Sequence, residues 1–306
     1  MSPIFVPTIF FGGGTPSIMP VDIFKKIMAA TRIRFDVAPN AEITLESNPG
    51  TLDASRLREF MAAGVNRLSI GVQSLDDGIL KFLGRAHSAA DARKLVRAAG
   101  DLGLRTSCDF IYGLPGQTVA DVRKMCRDIL DLGISHASLY ELSIEPGTPF
   151  AAQKIKVPSN ETCAEMYHAI REELAPGLHR YEVSNYAAPG EECRHNQNIW
   201  AGEPYIGIGP AAAGRVLMDG KWYETINDKN DGLKTEIMDN RDRAVEKIIT
   251  GLRTAAGVKL TDDVRKVIDW DFINGNPGYF LINEDTLCVA PDKLIFLDGL
   301  LIKIIS

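Results

Sequence analysis

Over its first half the chain repeats one pattern five times: a short apolar run, a polar or glycine-bearing turn, then a longer stretch with apolar residues at helical spacing. Such alternation marks parallel strands, because a strand can return to the same sheet in the same direction only through a long amphipathic connection. Strands are predicted at Thr8–Phe11, Ile43–Glu46, Arg67–Gly71, Arg105–Ile111 and His136–Leu142. Helices are predicted at Val21–Ala30, Ala54–Ala63, Asp77–Leu83, Ala89–Leu102 and Val119–Leu132. Gly64, Gly103 and Gly133 follow three of them, where a helix end favours a residue with positive φ. The expected fold class is α/β, a partial parallel βα barrel over residues 1–155.

The second half is less regular. A helix is predicted at Glu161–Leu174, then a polar segment from His179 to Gly214, rich in Asn, Gly and aromatic residues, that reads as functional loop. Asp219-Gly220 between apolar flanks predicts a hairpin over Leu217–Thr225, and the turn-rich Asn227–Lys234 is expected to be a domain boundary. Helices at Ala244–Leu252 and Asp262–Phe272 and an apolar ending from Leu294 to Ile305 predict a small mixed helical, winged-helix-like domain over 236–306. Residues 156–235 would complete the barrel.

Composition narrows the function classes. With 306 residues and 45% hydrophobic content the chain can bury one large core and a smaller one. Its 34 basic and 40 acidic residues give a net charge of −6 with no long Lys/Arg run, which disfavours nucleic acid as a partner. No apolar run reaches the roughly 18 to 20 residues of a membrane span. The opening Ile4–Phe11 run lacks a basic flank and is broken by Pro7, so the expectation is neither leader nor anchor and a cytoplasmic location. Cys108, Cys126, Cys163, Cys193 and Cys288 are scattered, with no pair at metal-site spacing, which fits a reducing compartment and no cysteine-rich loop.

In βα barrels the chemistry sits just past the carboxyl ends of the strands. The predicted ends read Gly12-Gly13-Gly14-Thr15-Pro16, Glu46-Ser47-Asn48-Pro49, Gly71-Val72-Gln73-Ser74 and Asp109 followed by Tyr112-Gly113-Leu114-Pro115-Gly116. Successive glycines expose backbone groups to a ligand. They suit a phosphate or the amino and carboxylate groups of an amino-acid-like cofactor, and a tight strand-to-helix turn explains them as well. Glu46 in an apolar strand calls for a partner, either a ligand or a structural ion pair with Arg67 or Arg85. Gln73 and Asp109 follow the same logic, and Arg85 can clamp a carboxylate.

On these residues the chain resembles the radical S-adenosylmethionine (SAM) proteins of the oxygen-independent coproporphyrinogen oxidase group, in its heme-chaperone branch. The resemblance rests on Phe11-Gly12-Gly13-Gly14-Thr15-Pro16-Ser17, Glu46-Ser47-Asn48-Pro49, Arg67-Leu68-Ser69-Ile70-Gly71-Val72-Gln73-Ser74, Leu83-Gly84-Arg85 and Asp109-Phe110-Ile111-Tyr112-Gly113-Leu114-Pro115-Gly116-Gln117. It implies that Gly13, Gly14, Thr15, Glu46, Gln73, Arg85 and Asp109 contact SAM, the glycines at its methionine end and the carboxylates and amide at its amino and ribose groups. Tyr181-Glu182-Val183-Ser184-Asn185-Tyr186 and Cys193-Arg194-His195-Asn196-Gln197-Asn198-Ile199-Trp200 resemble the segment tied to heme handling in that branch. His195, Asn196 and Trp200 become its candidates, with His195 either an iron ligand or an ordinary hydrogen-bonding residue.

The resemblance also exposes departures. The group's Cys-x-x-x-Cys-x-x-Cys loop precedes the glycine motif, and only eleven residues precede Gly12 here, so an absent N-terminal segment, no 4Fe–4S ligation and an exposed first strand are expected. Ile199 stands where a Tyr is expected and Ala213 where relatives usually carry a His. The leading expectation is a heme-binding and delivery protein that binds SAM but performs no radical catalysis by itself. An oxygen-independent coproporphyrinogen III oxidase, an inert truncated remnant and a barrel enzyme for a phosphorylated metabolite are the alternatives. Heme, heme-accepting proteins of respiration, a peripheral membrane surface and a second copy of the chain are the partners the resemblance suggests.

Overall fold

The structure is a computed structural model describing residues 4–305, which fall into two compact units. The first comprises residues up to 180 together with 184–195, and the second comprises 181–183 together with 196 onward.

The first unit is an open, curled sheet of seven strands in the order β1-β2-β3-β4-β5-β7-β6. Strands β1 (Phe5–Phe11), β2 (Asp36–Ser47), β3 (Arg67–Gln73), β4 (Arg105–Tyr112) and β5 (His136–Glu141) all run parallel. Helices α1 (Val21–Arg34), α2 (Ala54–Ala62), α3 (Asp77–Phe82), α4 (Ala89–Asp101) and α5 (Val119–Asp131) lie in the connections. Ser88–Asp91 and Thr118–Asp121 form reciprocal capping boxes that start α4 and α5. Gly103 and Gly133, each at φ 68°, end them. The buried faces of these helices close over the sheet with Phe24, Phe60, Leu57, Leu45, Leu68, Ile70, Phe110 and Ile129 fully inside.

The later part departs from a pure parallel repeat. After α6 (Pro149–Ala152) and α7 (Asn160–Leu174), the short strands β6 (His179–Arg180) and β7 (Asn185–Ala187) join antiparallel, β7 against β5 and β6 against β7. Helix α8 (Arg194–Trp200) begins at the end of this unit.

The second unit holds two small antiparallel sheets. In the first, β8 (Ala213–Met218) and β9 (Lys221–Asp228) meet at Asp219-Gly220, whose φ values of 49° and 74° give the mirror-image turn that suits a hairpin. Strand β10 (Gly232–Met238) then pairs with β9, so Asn227–Lys234 is a hairpin turn rather than the expected boundary. The Asp228 carboxylate accepts from the amides of Asn230 and Asp231 and closes that turn. Helix α9 (Asn240–Gly251), β11 (Val258–Lys259), α10 (Asp262–Lys266), α11 (Trp270–Gly275), β12 (Phe280–Asn283), β13 (Thr286–Val289) and α12 (Leu297–Ile304) follow. Up to β13 this is the element order of a winged helix, around a core that includes Ile248, Leu252, Leu287 and Ile304. The single helix expected over Asp262–Phe272 is two, because Asp269 leaves the helical conformation and caps α11 through the Phe272 amide.

Candidate functional site

The parallel register places the predicted strand ends side by side at one mouth of the half-barrel. The Gly13 amide, at φ 99°, donates to Glu46 Oε2 at 3.0 Å, and Asn48 Nδ2 donates to Thr15 Oγ1 at 3.1 Å. The glycine turn is thus tied to the end of β2 at two points. Gly14 borders open space, since a side chain there would meet nothing within 4 Å.

Gln73 closes β3 at φ 67°, a left-handed conformation that costs a non-glycine residue energy. The β3–β4 register shifts between Ile70 and Gln73, and that irregularity turns the residue. A Cβ on Gly71 would lie 2.9 Å from Asn48 Oδ1 and 3.1 Å from Gln73 Nε2, so both amides converge over this glycine. Arg85 is positioned by its own amide, which donates to the Leu80 carbonyl, and by His87 Nε2 at 3.1 Å from the Val72 carbonyl.

Burial shifts both carboxyls at the mouth. Asp109 lies deep on β4 but keeps a solvent-accessible edge. Burial pushes its carboxyl up to about 6, the Glu46 charge adds to the rise, and a Ser138 hydrogen bond and the Arg85 charge oppose it. Burial also raises Glu46, against the Gly13 amide. Thr44 Oγ1, buried on the same face of β2 as Glu46, has no hydrogen-bond partner. Two carboxyls whose proton affinity burial raises, beside a cation and an orphaned hydroxyl, can accept from ammonium and hydroxyl groups of a small polar ligand.

Of the predicted residues, Gly13, Thr15, Glu46, Gln73, Arg85 and Asp109 therefore share one end of the sheet, with Gly14 on its open rim. Asn48 and Ser138 were missed as contributors. Asn48 stands two residues beyond Glu46, on the same side by strand periodicity, and that was the available signal.

A second polar layer lies further down the strands. Glu42 is fully buried and its Oε2 takes Arg67 at 3.4 Å and Arg105 at 3.1 Å, while Arg105 also reaches Glu191 at 2.7 Å. Arg67 thus serves Glu42 and is not the structural partner considered for Glu46. Glu42 Oε1 accepts from the His195 amide at 3.1 Å and from the Cys193 thiol at 3.6 Å. The His195 ring stacks on Phe10 at 4.9 Å with Nδ1 3.2 Å from Thr8 Oγ1, and burial lowers its proton affinity. Asn196 and Trp200 belong to the second unit, where the Arg253 guanidinium lies 5.0 Å over the Trp200 ring.

The cysteines do not fit an iron–sulfur cluster. All five are buried and free, and among the described residues no group of three or more His, Cys, Asp or Glu could hold a metal ion. A 4Fe–4S centre that leaves one iron open needs three convergent thiolates. Instead, burial raises the Cys108, Cys126, Cys163 and Cys288 thiols.

Residues 3–129 match the family model of the Radical SAM superfamily. The heme chaperone HemW of Escherichia coli strain K12 is 40% identical over 72% of this chain, which spans 59% of that relative's length. The mitochondrial radical S-adenosyl methionine domain-containing protein 1 of Bos taurus is 33% identical over 98% of this chain and 76% of its own. The solved structure of coproporphyrinogen III oxidase (HemN) from Escherichia coli covers 97% of this chain and 77% of its own with a TM-score of 0.78. At 19% identity that likeness shows the fold alone.

Proposed function

Because the chain belongs to the radical SAM superfamily and, within it, to the family of the heme chaperone HemW, we propose that it binds SAM at the strand ends and handles heme through the segment that begins at His195. The observation that carries the SAM site is the convergence of Gly13, Glu46, Asn48, Gln73 and Asp109 at one mouth, with the Thr44 hydroxyl left over. In this reading the glycine turn meets the methionine end of SAM. Glu46 and Asp109 accept from its amino and ribose groups, and Arg85 faces its carboxylate. Bound with a 4Fe–4S cluster, SAM supplies an adenosyl radical in this superfamily; the cysteines of this chain do not fit that cluster, so the proposal is one of binding and delivery.

His195 supports the heme half because burial of part of its ring lowers its proton affinity and so favours the neutral imidazole that ligates iron. Its partners are heme and a heme-accepting protein. Heme titration of the purified chain tests this: a Soret shift that is lost in His195→Ala is expected, and an unchanged spectrum in the wild type overturns it. Calorimetry with SAM tests the mouth, with at least a tenfold weaker Kd expected for Glu46→Gln and equal affinity counting against the site.

A further inference from the structure

Each of the chain's three tryptophans lies under an arginine. At Trp270 the pair is satisfied. The indole N–H donates to the Arg265 carbonyl at 3.0 Å, and Arg265 Nε donates to the Leu260 carbonyl at 3.1 Å. At Trp222 the arginine is charge-paired, with Arg243 Nη1 donating to Glu246 and Nη2 to the Gly202 carbonyl. At Trp200 neither holds. The Arg253 guanidinium lies 5.0 Å over the ring, yet among the described residues its side chain has no hydrogen bond or ion pair. Arg253 Nε and Trp200 Nε1 are both shut off from solvent without an acceptor.

Buried polar groups are as a rule hydrogen-bonded, and two unmade bonds in one place call for a common cause. An indole and a guanidinium can only donate, so what completes them is an acceptor, and the charge on Arg253 selects an anionic one. One guanidinium balances one negative charge, which suits a carboxylate. The backbones beneath the pair are fixed. Trp200 ends α8, and the Gly202 carbonyl beyond it is clamped by Arg243 of α9. Arg253 follows the end of α9, where its carbonyl accepts from the Val183 amide at 3.0 Å. The Arg253 side chain, by contrast, is partly exposed and held by no hydrogen bond. It can swing off the ring without breaking one, and that uncovers the Trp200 N–H.

We propose that Trp200 and Arg253 form a carboxylate site, the indole N–H donating to one oxygen and the guanidinium to the other. The bearer of the carboxylate rests on the heme reading: heme carries two propionates, and Trp200 lies in the segment to which heme handling is assigned above.

Titration of the full chain with heme and with heme dimethyl ester tests this, since the ester keeps ring and iron but has no free carboxylate. Wild type should bind heme about tenfold more tightly than the ester, as the loss of charge-assisted hydrogen bonds requires. Trp200→Phe and Arg253→Leu, checked for folding by circular dichroism, should lose that preference because heme weakens toward the level of the ester. Arg253→Lys keeps the charge and should retain part of it. Equal affinity of wild type for acid and ester overturns the proposal, as do variants that weaken both ligands in proportion, which is what a packing role would give. A wild type that binds neither ligand overturns the heme reading and this assignment with it.

Discussion

The His195 amide donates to Glu42 Oε1 at 3.1 Å, so the carboxylate that neutralises Arg67 also fixes where the histidine enters the half-barrel. Glu42 and Arg67 are both essentially without solvent contact. Removing one member of such a pair strands the other charge in a poor solvent. Glu42→Ala should therefore cost about 3–5 kcal/mol in urea unfolding. Glu46→Ala, four residues along the same face, should cost within about 1 kcal/mol, because burial already disfavours its charge. Equal losses at the two positions would contradict the division into a structural and a ligand-facing carboxylate.

Asp109 gives a pH signature with a definite sign. Its carboxyl titrates near 6 in the folded chain, above its ordinary value of 3.8. Between those values the folded state binds the proton and the unfolded state has lost it, so stability falls as pH rises from about 4 to about 6. Asp109→Asn cannot lose that proton. Its melting temperature relative to wild type should rise across the same window and level off above it, by an amount worth roughly 3 kcal/mol. A difference that does not change with pH would show that Asp109 is not desolvated.

The His195 ring predicts the opposite trend for heme. Burial lowers its proton affinity, which favours the neutral ring, and the tautomer in which Nδ1 donates to Thr8 Oγ1 leaves Nε2 free for iron. Heme affinity through that nitrogen should be flat from about pH 8 down to about 6.5, the ordinary histidine value, and decline only below it. Thr8→Val removes the Nδ1 contact and should weaken heme binding by several-fold without abolishing it. A decline that already begins between pH 7.5 and 7 would place an ordinary, solvated group at the iron.

The sequence made the parallel strands legible because helical and strand periods differ, and the terminal glycines marked helix ends; the capping boxes of α4 and α5 are legible only in the structure. It was weaker wherever two positions share a face. Glu42 and Glu46 both point inward from β2, and an ion pair of Arg67 with Glu46 was therefore as plausible as one with Glu42. The register Thr44↔Arg67 sets Arg67 two residues from each, and the direction its side chain takes, to Glu42 Oε2 at 3.4 Å, decides between them. The strand predicted at Ile43–Glu46 is longer in the structure, where β2 begins at Asp36 and its first residues pair with β1 despite Pro39 and Asn40. Ser138 was invisible as a site residue for a related reason: one small hydroxyl in an apolar strand signals nothing until the β4–β5 pairing Asp109↔Ser138 sets it beside a carboxylate.

Gly71 offers the sharpest test of whether the mouth is preformed. It has no positive φ, so alanine is conformationally acceptable there, and what alanine adds is one methyl aimed between Asn48 Oδ1 at 2.9 Å and Gln73 Nε2 at 3.1 Å. Both contacts are the ends of side chains rather than backbone, and they can swing aside. The stability cost of Gly71→Ala should stay near 1 kcal/mol. Swinging aside, however, releases Asn48 from Thr15 and moves Gln73 out of the mouth, so the two amides no longer meet a ligand together. Calorimetry should show SAM affinity falling at least tenfold while the melting temperature shifts by only a few degrees. If binding and stability fall in proportion, Gly71 is a packing glycine and the convergence above it serves the fold rather than a ligand.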